Sequence, residues 1–166
     1  KLIDEYVHNY CTALSFATVF RPNLADKSEA EREAYFAKAP SKKRTEYKRD
    51  VVKLGMDSKY VVESIEFHEK LLDWIEESMQ RWQYLAGDGL SLADIAVIPY
   101  VIRLDLIGLS RMWDQRPGVA AWYQRMHKQD CVDKAVFQRM EEADWAPFRK
   151  LGFDPWPQVS RIIGSL

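Results

Sequence analysis

The chain has 166 residues, of which 47% are hydrophobic and 30% charged, as in an ordinary globular protein. Its formal net charge of -1 gives no reason to expect a nucleic acid or an anionic membrane as a partner. Its two cysteines, Cys11 and Cys131, are too few for a disulfide framework and are typical of a reducing compartment. We therefore expect one soluble, cytoplasmic domain that spans residues 1–166.

The first predicted element is an amphipathic helix that stops near Arg21 and Pro22. Its apolar residues recur at spacings of three and four and form one stripe: Leu2, Ile3, Tyr6, Val7, Tyr10, Leu14 and Ala17. An exposed helical turn at residues 28–33 follows. The basic cluster at residues 41–49 is interpreted as solvated surface rather than a nucleic-acid contact, because no aromatic residues are interleaved with it on a common face and acids flank it.

A long amphipathic helix is predicted from Tyr60 to Trp82. Its apolar side holds Val62, Ile65, Leu72, Ile75, Met79 and Trp82. Glutamates occupy much of the remaining surface. His68 and His127 have charged neighbours in the sequence, and we assign both to the surface.

The segment after a glycine-rich turn at residues 86–89 predicts a strongly capped helix. Ser91 suits the N-cap, and Asp94 can reach back to the Ser91 amide, which together make a reciprocal capping box. Leu90, just before the cap, can pack on Ile95 as a hydrophobic staple. We assign all four residues to folding rather than to catalysis.

The helix opened by this box is apolar on nearly all sides, since 13 of the 18 residues from Leu92 to Leu109 are hydrophobic. A helix without a polar face belongs at the centre of a bundle, and Pro99 should bend it. Another helix is predicted from Gly118 to Gln129, and an aromatic-rich tail with a short helix follows it. The sequence therefore predicts an all-α bundle around a buried, capped central helix.

The run from Tyr84 to Trp122 resembles the signature region of the glutathione transferase C-terminal domain. It contains the Leu-Ala-Gly loop, the Ser-Leu-Ala-Asp capping box, and the buried helix that begins Ile-Ala-Val-Ile-Pro-Tyr. It also contains Pro-Gly-Val-Ala-Ala-Trp, which resembles the opening of the family's next helix. The resemblance is looser over residues 1 to 83, where helix number and length agree better than motifs do.

The resemblance implies a helical domain that supplies the hydrophobic co-substrate site and the homodimer interface of a glutathione transferase. In the family a thioredoxin-like N-terminal domain binds the co-substrate glutathione and carries the catalytic residue. Nothing in the sequence resembles that domain, so no catalytic residue is assigned here. The implied activity is conjugation or dehalogenation of small hydrophobic electrophiles when the two domains are joined. The alternative is a non-catalytic assembly module that binds proteins.

The resemblance also places the acceptor cleft along the first long helix. We predict there an apolar wall with phenolic hydroxyls for orientation, formed by Tyr6, Tyr10, Leu14 and Phe16. Arg103, on the otherwise apolar helix, is predicted to face the same cleft. The alternative is that the tyrosines are core residues and that Arg103 pairs with a nearby acid.

The sequence predicts no metal site. His8 and Cys11 lie one helical turn apart, but two ligands do not fill a zinc site, and no further ligands appear at a suitable spacing. Cys11 has no obvious activating base for nucleophilic chemistry.

Overall fold

The computed structural model describes residues 3–38, 42–149 and 151–166. This part of the chain is helical and contains no strand, which confirms the predicted all-α class. Its β-pairing is one isolated bridge between Tyr84 and Gly87. Within these ranges, no helix combines the length and the apolar character needed to cross a membrane.

Helices occur in each segment predicted to be helical, and a further helix occurs at residues 42–54, where only a basic surface run was predicted. Helix α1 (His8–Ser15) is extended on both sides by π-helical turns, Ile3–Val7 and Phe16–Phe20. Together these three stretches form the first long helix. The other helices are α2 (Pro22–Ala25), α3 (Glu29–Ala37), α4 (Lys42–Leu54), α5 (Lys59–Met79), α6 (Leu92–Leu106), α7 (Pro117–His127), α8 (Asp130–Val132), α9 (Glu142–Arg149) and α10 (Trp156–Ile163). Shorter turns connect them: the 3-10 turns Gly55–Asp57 and Ser110–Trp113, and the π-helical turn Asp133–Phe137. Residue 41 and the side chains of residues 42–44, the first half of the predicted basic cluster, lie outside the described part. In the second half, Arg49 pairs with Glu33 on the surface.

Helix α5 forms the middle of the core, where it packs against α1, α7 and α10. Its buried stripe includes Val61, Ile65, Leu72 and Ile75, each at most 2% exposed. The predicted long helix is thus present, but it ends at Met79. Trp82 was predicted on its apolar side and instead lies in the following turn, 49% exposed, because the helix stops before it.

Helix α6 is buried along one side only. Val97, Ile98 and Val101 lie in the core, whereas Leu92 is 86% exposed and Ile95 is 38% exposed. The prediction that neighbouring helices surround α6 does not hold at its N-terminal end. An apolar pattern shows that a face can be buried, but burial also needs a neighbour, and none of the described residues covers this face.

His68 is fully buried, so its assignment to the surface was wrong. Its position on α5 is one turn from Ile65 and Leu72, and this spacing places it on the core side despite its charged sequence neighbours. Nδ1 lies 2.7 Å from the Ser64 carbonyl oxygen, while Nε2 has no hydrogen-bond partner among the described residues. Burial lowers the pKa of His68 to about 4, so the ring is neutral near pH 7.

His127 is also not a surface residue, because its ring is partly buried between Tyr123 and Phe137. Its Nε2 atom is buried without a hydrogen-bond partner in the described part of the chain. Burial lowers the pKa of His127, and the Asp105 charge opposes that effect. Helix α7, which carries His127, buries Val119, Trp122 and Met126.

Candidate functional site

The turn before α6 fixes where that helix begins. The chain bends at Gly87, whose φ of 146° is a conformation that side-chain-bearing residues rarely adopt. The amide of Tyr84 donates to the Gly87 carbonyl at 2.9 Å and closes the turn. Ser91 then takes an extended conformation as the N-cap of α6.

The Asp94 carboxylate ties this helix start to the rest of the bundle. Oδ2 accepts hydrogen bonds from the Ser91 amide at 2.9 Å and from its hydroxyl at 2.6 Å, which forms the capping box with Ser91. Oδ1 accepts from the Leu85 amide at 2.9 Å and from Trp122 Nε1 at 2.8 Å. Burial by itself would raise the pKa of Asp94, but these donors outweigh it and lower the pKa.

The predicted staple residues add little burial to this helix start. Leu90 is 41% exposed and Ile95 is 38% exposed. The position of α6 therefore depends mainly on the hydrogen bonds at Asp94 and on the buried residues further along the helix.

Helix α7, which supplies Trp122, is held against α5 by polar contacts at its own start. Arg116 pairs with Glu69 at 2.9 Å and with Asp73 at 2.8 Å. Glu76 accepts the Val119 amide at 2.9 Å, which satisfies a donor at the helix N-terminus. These contacts fix the α5–α7 pair on which the Asp94 bond to Trp122 depends.

A cavity of about 460 Å³ lies between the first long helix and α6. That volume is within the range of pockets that hold small organic ligands. The first long helix and its extension contribute His8, Cys11, Thr12, Ser15, Phe16 and Phe20. Helix α6 contributes Pro99, Tyr100 and Arg103, and Tyr35 of α3 and Lys48 of α4 complete the described lining.

The structure brings only two of the predicted site residues to this cavity, Phe16 and Arg103. Tyr6 and Tyr10 stack instead on Phe67 of α5, with ring centroids 6.3 Å and 4.8 Å away. Leu14 is fully buried in the core. Tyr6 and Tyr10 are directed towards α5, although Tyr6 is still 47% exposed, and the cavity lies on a neighbouring side of the first helix.

Sequence reasoning missed most of the first helix's cavity side. His8, Cys11, Thr12 and Ser15 recur at spacings of three and four, so they share one helix face. This periodicity was available as a signal. It is a weak one, because small polar residues on one side of a helix usually indicate a solvated surface.

Arg103 makes no ion pair with a carboxylate among the described residues, contrary to the alternative of a nearby acid. Its guanidinium lies over the Phe148 ring, 4.7 Å from the centroid. The Phe148 ring packs against the guanidinium, and such a cation–π contact does not use the N–H donors of the arginine. Lys48 also lies over aromatic rings, 5.6 Å from Phe16 and 5.1 Å from Tyr35.

Cys11 is not an activated nucleophile in this cavity. Burial raises the pKa of its thiol, although the Arg103 charge and a contact with the Ser15 hydroxyl at 3.9 Å partly oppose that effect. No group of three or more potential metal-binding side chains occurs in the ranges that the structure describes. The described lining combines aromatic rings with Arg103 and Lys48, an arrangement that can bind and orient a molecule.

Comparison with known proteins bears on the segment that forms α6 and its neighbours. Residues 69–125 match the family model of the glutathione S-transferase C-terminal domain. Glutathione S-transferase GstB of Escherichia coli (strain K12) is 28% identical over 68 residues, which are 41% of this chain and 32% of that protein. Glutathione S-transferase 1 of Zea mays is 33% identical over 80 residues, 48% of this chain and 37% of that protein.

These matches cover about a third of the length of each of those relatives. No solved structure matches the chain. The matched segment contains the Ser91–Asp94 box, most of α5, and nearly all of α7. Over residues 69–125 the chain is therefore similar to the glutathione S-transferase C-terminal domain.

Proposed function

We propose that the cavity between the first long helix and α6 is the acceptor-substrate site of a glutathione transferase-like protein. In this proposal a thioredoxin-like domain joined to the chain binds glutathione as co-substrate. The observation that carries the proposal is the open cavity of about 460 Å³, walled by Phe16, Phe20, Tyr35 and Tyr100. An assembly module has no need for such a space, and large side chains would be free to fill it.

The chemistry in this proposal is nucleophilic substitution or addition. The thiolate of glutathione attacks an electrophilic carbon and forms a C–S bond, and in substitution the leaving group departs with the bonding electron pair. The residues described here hold the electrophile in place and exclude water, which lowers the entropic cost of bringing the two reactants together. Deprotonation of the glutathione thiol belongs to the thioredoxin-like domain.

The exposed side of α6 supports a second domain at this position. Leu92 and Ile95 are exposed apolar residues at the start of the helix, and Pro99 and Tyr100 extend the same helix to the cavity. A domain packed on this side would bury apolar surface and close the cavity at the same time. A homodimer and a cytoplasmic location are part of the same proposal, on the basis of the family.

The proposal is tested by conjugation of glutathione to a chromogenic aryl chloride by the product of the complete reading frame. The cavity variant is Thr12→Phe, which places a large side chain where Thr12 lines the cavity. The matched control is Ser78→Phe. Ser78 also donates its hydroxyl to the carbonyl four residues before it, but it does not line the cavity.

We expect Thr12→Phe to raise KM for the aryl chloride at least about tenfold, because the electrophile and the new ring compete for one space. The KM of Thr12→Phe for glutathione should stay within twofold of the parent. The Ser78→Phe variant should keep both KM values, for the aryl chloride and for glutathione, within twofold of the parent. If the parent neither binds glutathione by calorimetry nor forms the conjugate, the enzyme proposal is wrong and the assembly-module alternative takes its place.

A further inference from the structure

The cavity is positively charged, a property that a purely hydrophobic acceptor site does not need. Two fixed cations line it, Arg103 and Lys48, and His8 adds an imidazole. None of the described lining residues is acidic. A cavity with this sign of charge favours anions, because its walls exclude part of the water that would otherwise screen the cations.

Arg103 is placed to hold a planar anion. It lies on α6, whose start is fixed at Asp94, and the Phe148 ring packs on its guanidinium at 4.7 Å. The N–H donors of a guanidinium lie in the plane of the group, which is the geometry that binds a carboxylate through two parallel hydrogen bonds. The electrostatic effect of Arg103 on the Cys11 thiol indicates that its positive charge acts inside the cavity.

The remaining walls are suited to an apolar body. Phe16, Phe20, Tyr35 and Tyr100 present rings to the cavity, while Thr12 and Ser15 leave room between them. A ligand that matches both parts has an aromatic or branched aliphatic body and one carboxylate.

We propose that this cavity binds small aromatic carboxylates, and that Arg103 is the specificity-determining residue that holds the carboxylate group. This inference deepens the proposed function and rests on it for one point, the substrate class. If the protein is a transferase, its electrophiles carry a carboxylate. Binding itself needs neither glutathione nor a second domain, so it can be measured separately.

Two cysteines provide the readout on the 166-residue chain. Cys11 lines the cavity, whereas Cys131 is exposed and lies outside it. Alkylation by iodoacetamide is followed at both positions by mass spectrometry of the corresponding peptides. The probes are naphthalene-2-carboxylate and naphthalene-2-carboxamide, which have nearly the same shape and differ in charge.

We expect naphthalene-2-carboxylate to slow alkylation of Cys11 and to leave the rate at Cys131 unchanged. The neutral amide should protect Cys11 only at about tenfold higher concentration, because it lacks the charged partner of Arg103. The Arg103→Gln variant should bring the two protecting concentrations within twofold of each other. Arg103→Lys, which keeps the charge but loses the planar donor pair, should fall between these results.

The matched control is Arg111→Gln. Arg111 also lies over an aromatic ring, 4.9 Å from the Trp156 centroid, but it is not part of the cavity lining. This variant should keep the full preference for the carboxylate. Circular dichroism establishes that the variants are folded, and Arg103→Lys carries the test if Arg103→Gln does not fold.

Three results would overturn the inference: no protection of Cys11 by the carboxylate, equal protection by the amide, or an unchanged preference in the folded Arg103 variants. Its failure is distinguishable from failure of the proposed function. Protection by the carboxylate without any conjugation by the complete protein refutes only the transferase. Conjugation of neutral aryl chlorides with no binding of the carboxylate refutes only this inference.

Discussion

Replacing Asp94 by asparagine tests how strongly one carboxylate holds α6 in place. Each carboxylate oxygen accepts two hydrogen bonds, from Leu85 and Trp122 on one side and from the amide and hydroxyl of Ser91 on the other. In Asp94→Asn an NH₂ group replaces one of these oxygens and faces two donors. The side chain keeps its size, so the substitution removes charge and acceptors without leaving a cavity.

The size of the effect follows from the number of bonds lost. A hydrogen bond to a charged acceptor contributes about 1.5–3 kcal/mol, so two lost bonds give about 3–6 kcal/mol. The Ser91 hydroxyl can rotate to accept a hydrogen bond from the new NH₂ group, which recovers part of the lost stability. The expected net loss is about 3 kcal/mol. That is a large fraction of the roughly 5–15 kcal/mol by which a domain is stable.

The assay is urea unfolding at pH 7, followed by circular dichroism, with Glu31→Gln as the matched control. Ser28 and Glu31 form the same reciprocal box at the start of α3, but Glu31 is exposed to water. Water can replace the bonds lost there, so the control should lose far less stability. Equal losses at the two boxes, or a loss below about 1 kcal/mol for Asp94→Asn, would refute this reasoning.

The same substitution has a defined pH dependence. The folded-state pKa of Asp94 lies below the value of 3.8 that is usual for an aspartate, so the stabilisation from its charge is present above pH 3.8. It is lost as the pH falls through the lower pKa of the folded state. The difference in stability between the parent and Asp94→Asn should therefore shrink in that acid range.

The remaining predictions concern α5 and its contacts. The unfolded chain binds a proton at His68 between about pH 6.5 and 4 while the folded state does not, so folding stability should fall by about 3 kcal/mol as the pH drops through this window. Urea titrations at several pH values measure the free energy of unfolding. If this free energy falls with pH as steeply in His68→Gln as in the parent, the prediction is contradicted. Gly118→Ala places a Cβ 2.8 Å from both Glu76 Oε2 and Met79 Cβ and should cost about 1–3 kcal/mol. Both variants are measured by thermal melts. Gly152→Ala, whose new Cβ has no neighbour within 4 Å, should lose less than half as much stability as Gly118→Ala. Equal losses of stability would show that the α5–α7 contact adjusts easily to the new methyl group.

The parts of the fold that depend on local sequence were predictable. The Ser91–Asp94 box follows from a spacing of three residues, and the starts of α5 and α7 lie within one residue of their predicted positions. The further donors to Asp94 could not be predicted. Trp122 is 28 positions away in the chain, and only the packing of α7 brings its indole to the carboxylate.

The candidate site was harder to predict because a helical pattern does not identify the neighbour of each face. Tyr6 and Tyr10 were placed at a cleft, and they pack on Phe67 because their face is directed at α5. Arg103 lines the cavity, but its contact with Phe148 depends on a helix about 45 residues further along the chain. His68 is buried because its position in the helical period lies on the core side of α5, and the charge of its sequence neighbours does not change that position.

The bonds at Asp94 also bear on the order in which the chain acquires structure. They close loops of only nine residues to Leu85 and 28 residues to Trp122. The entropic cost of closing a loop rises with its length, so these closures cost less than the 54-residue contact between Tyr10 and Ser64. We therefore expect the stretch from Leu85 to Trp122 to gather around this carboxylate before the first long helix, which completes the cavity, docks on the bundle.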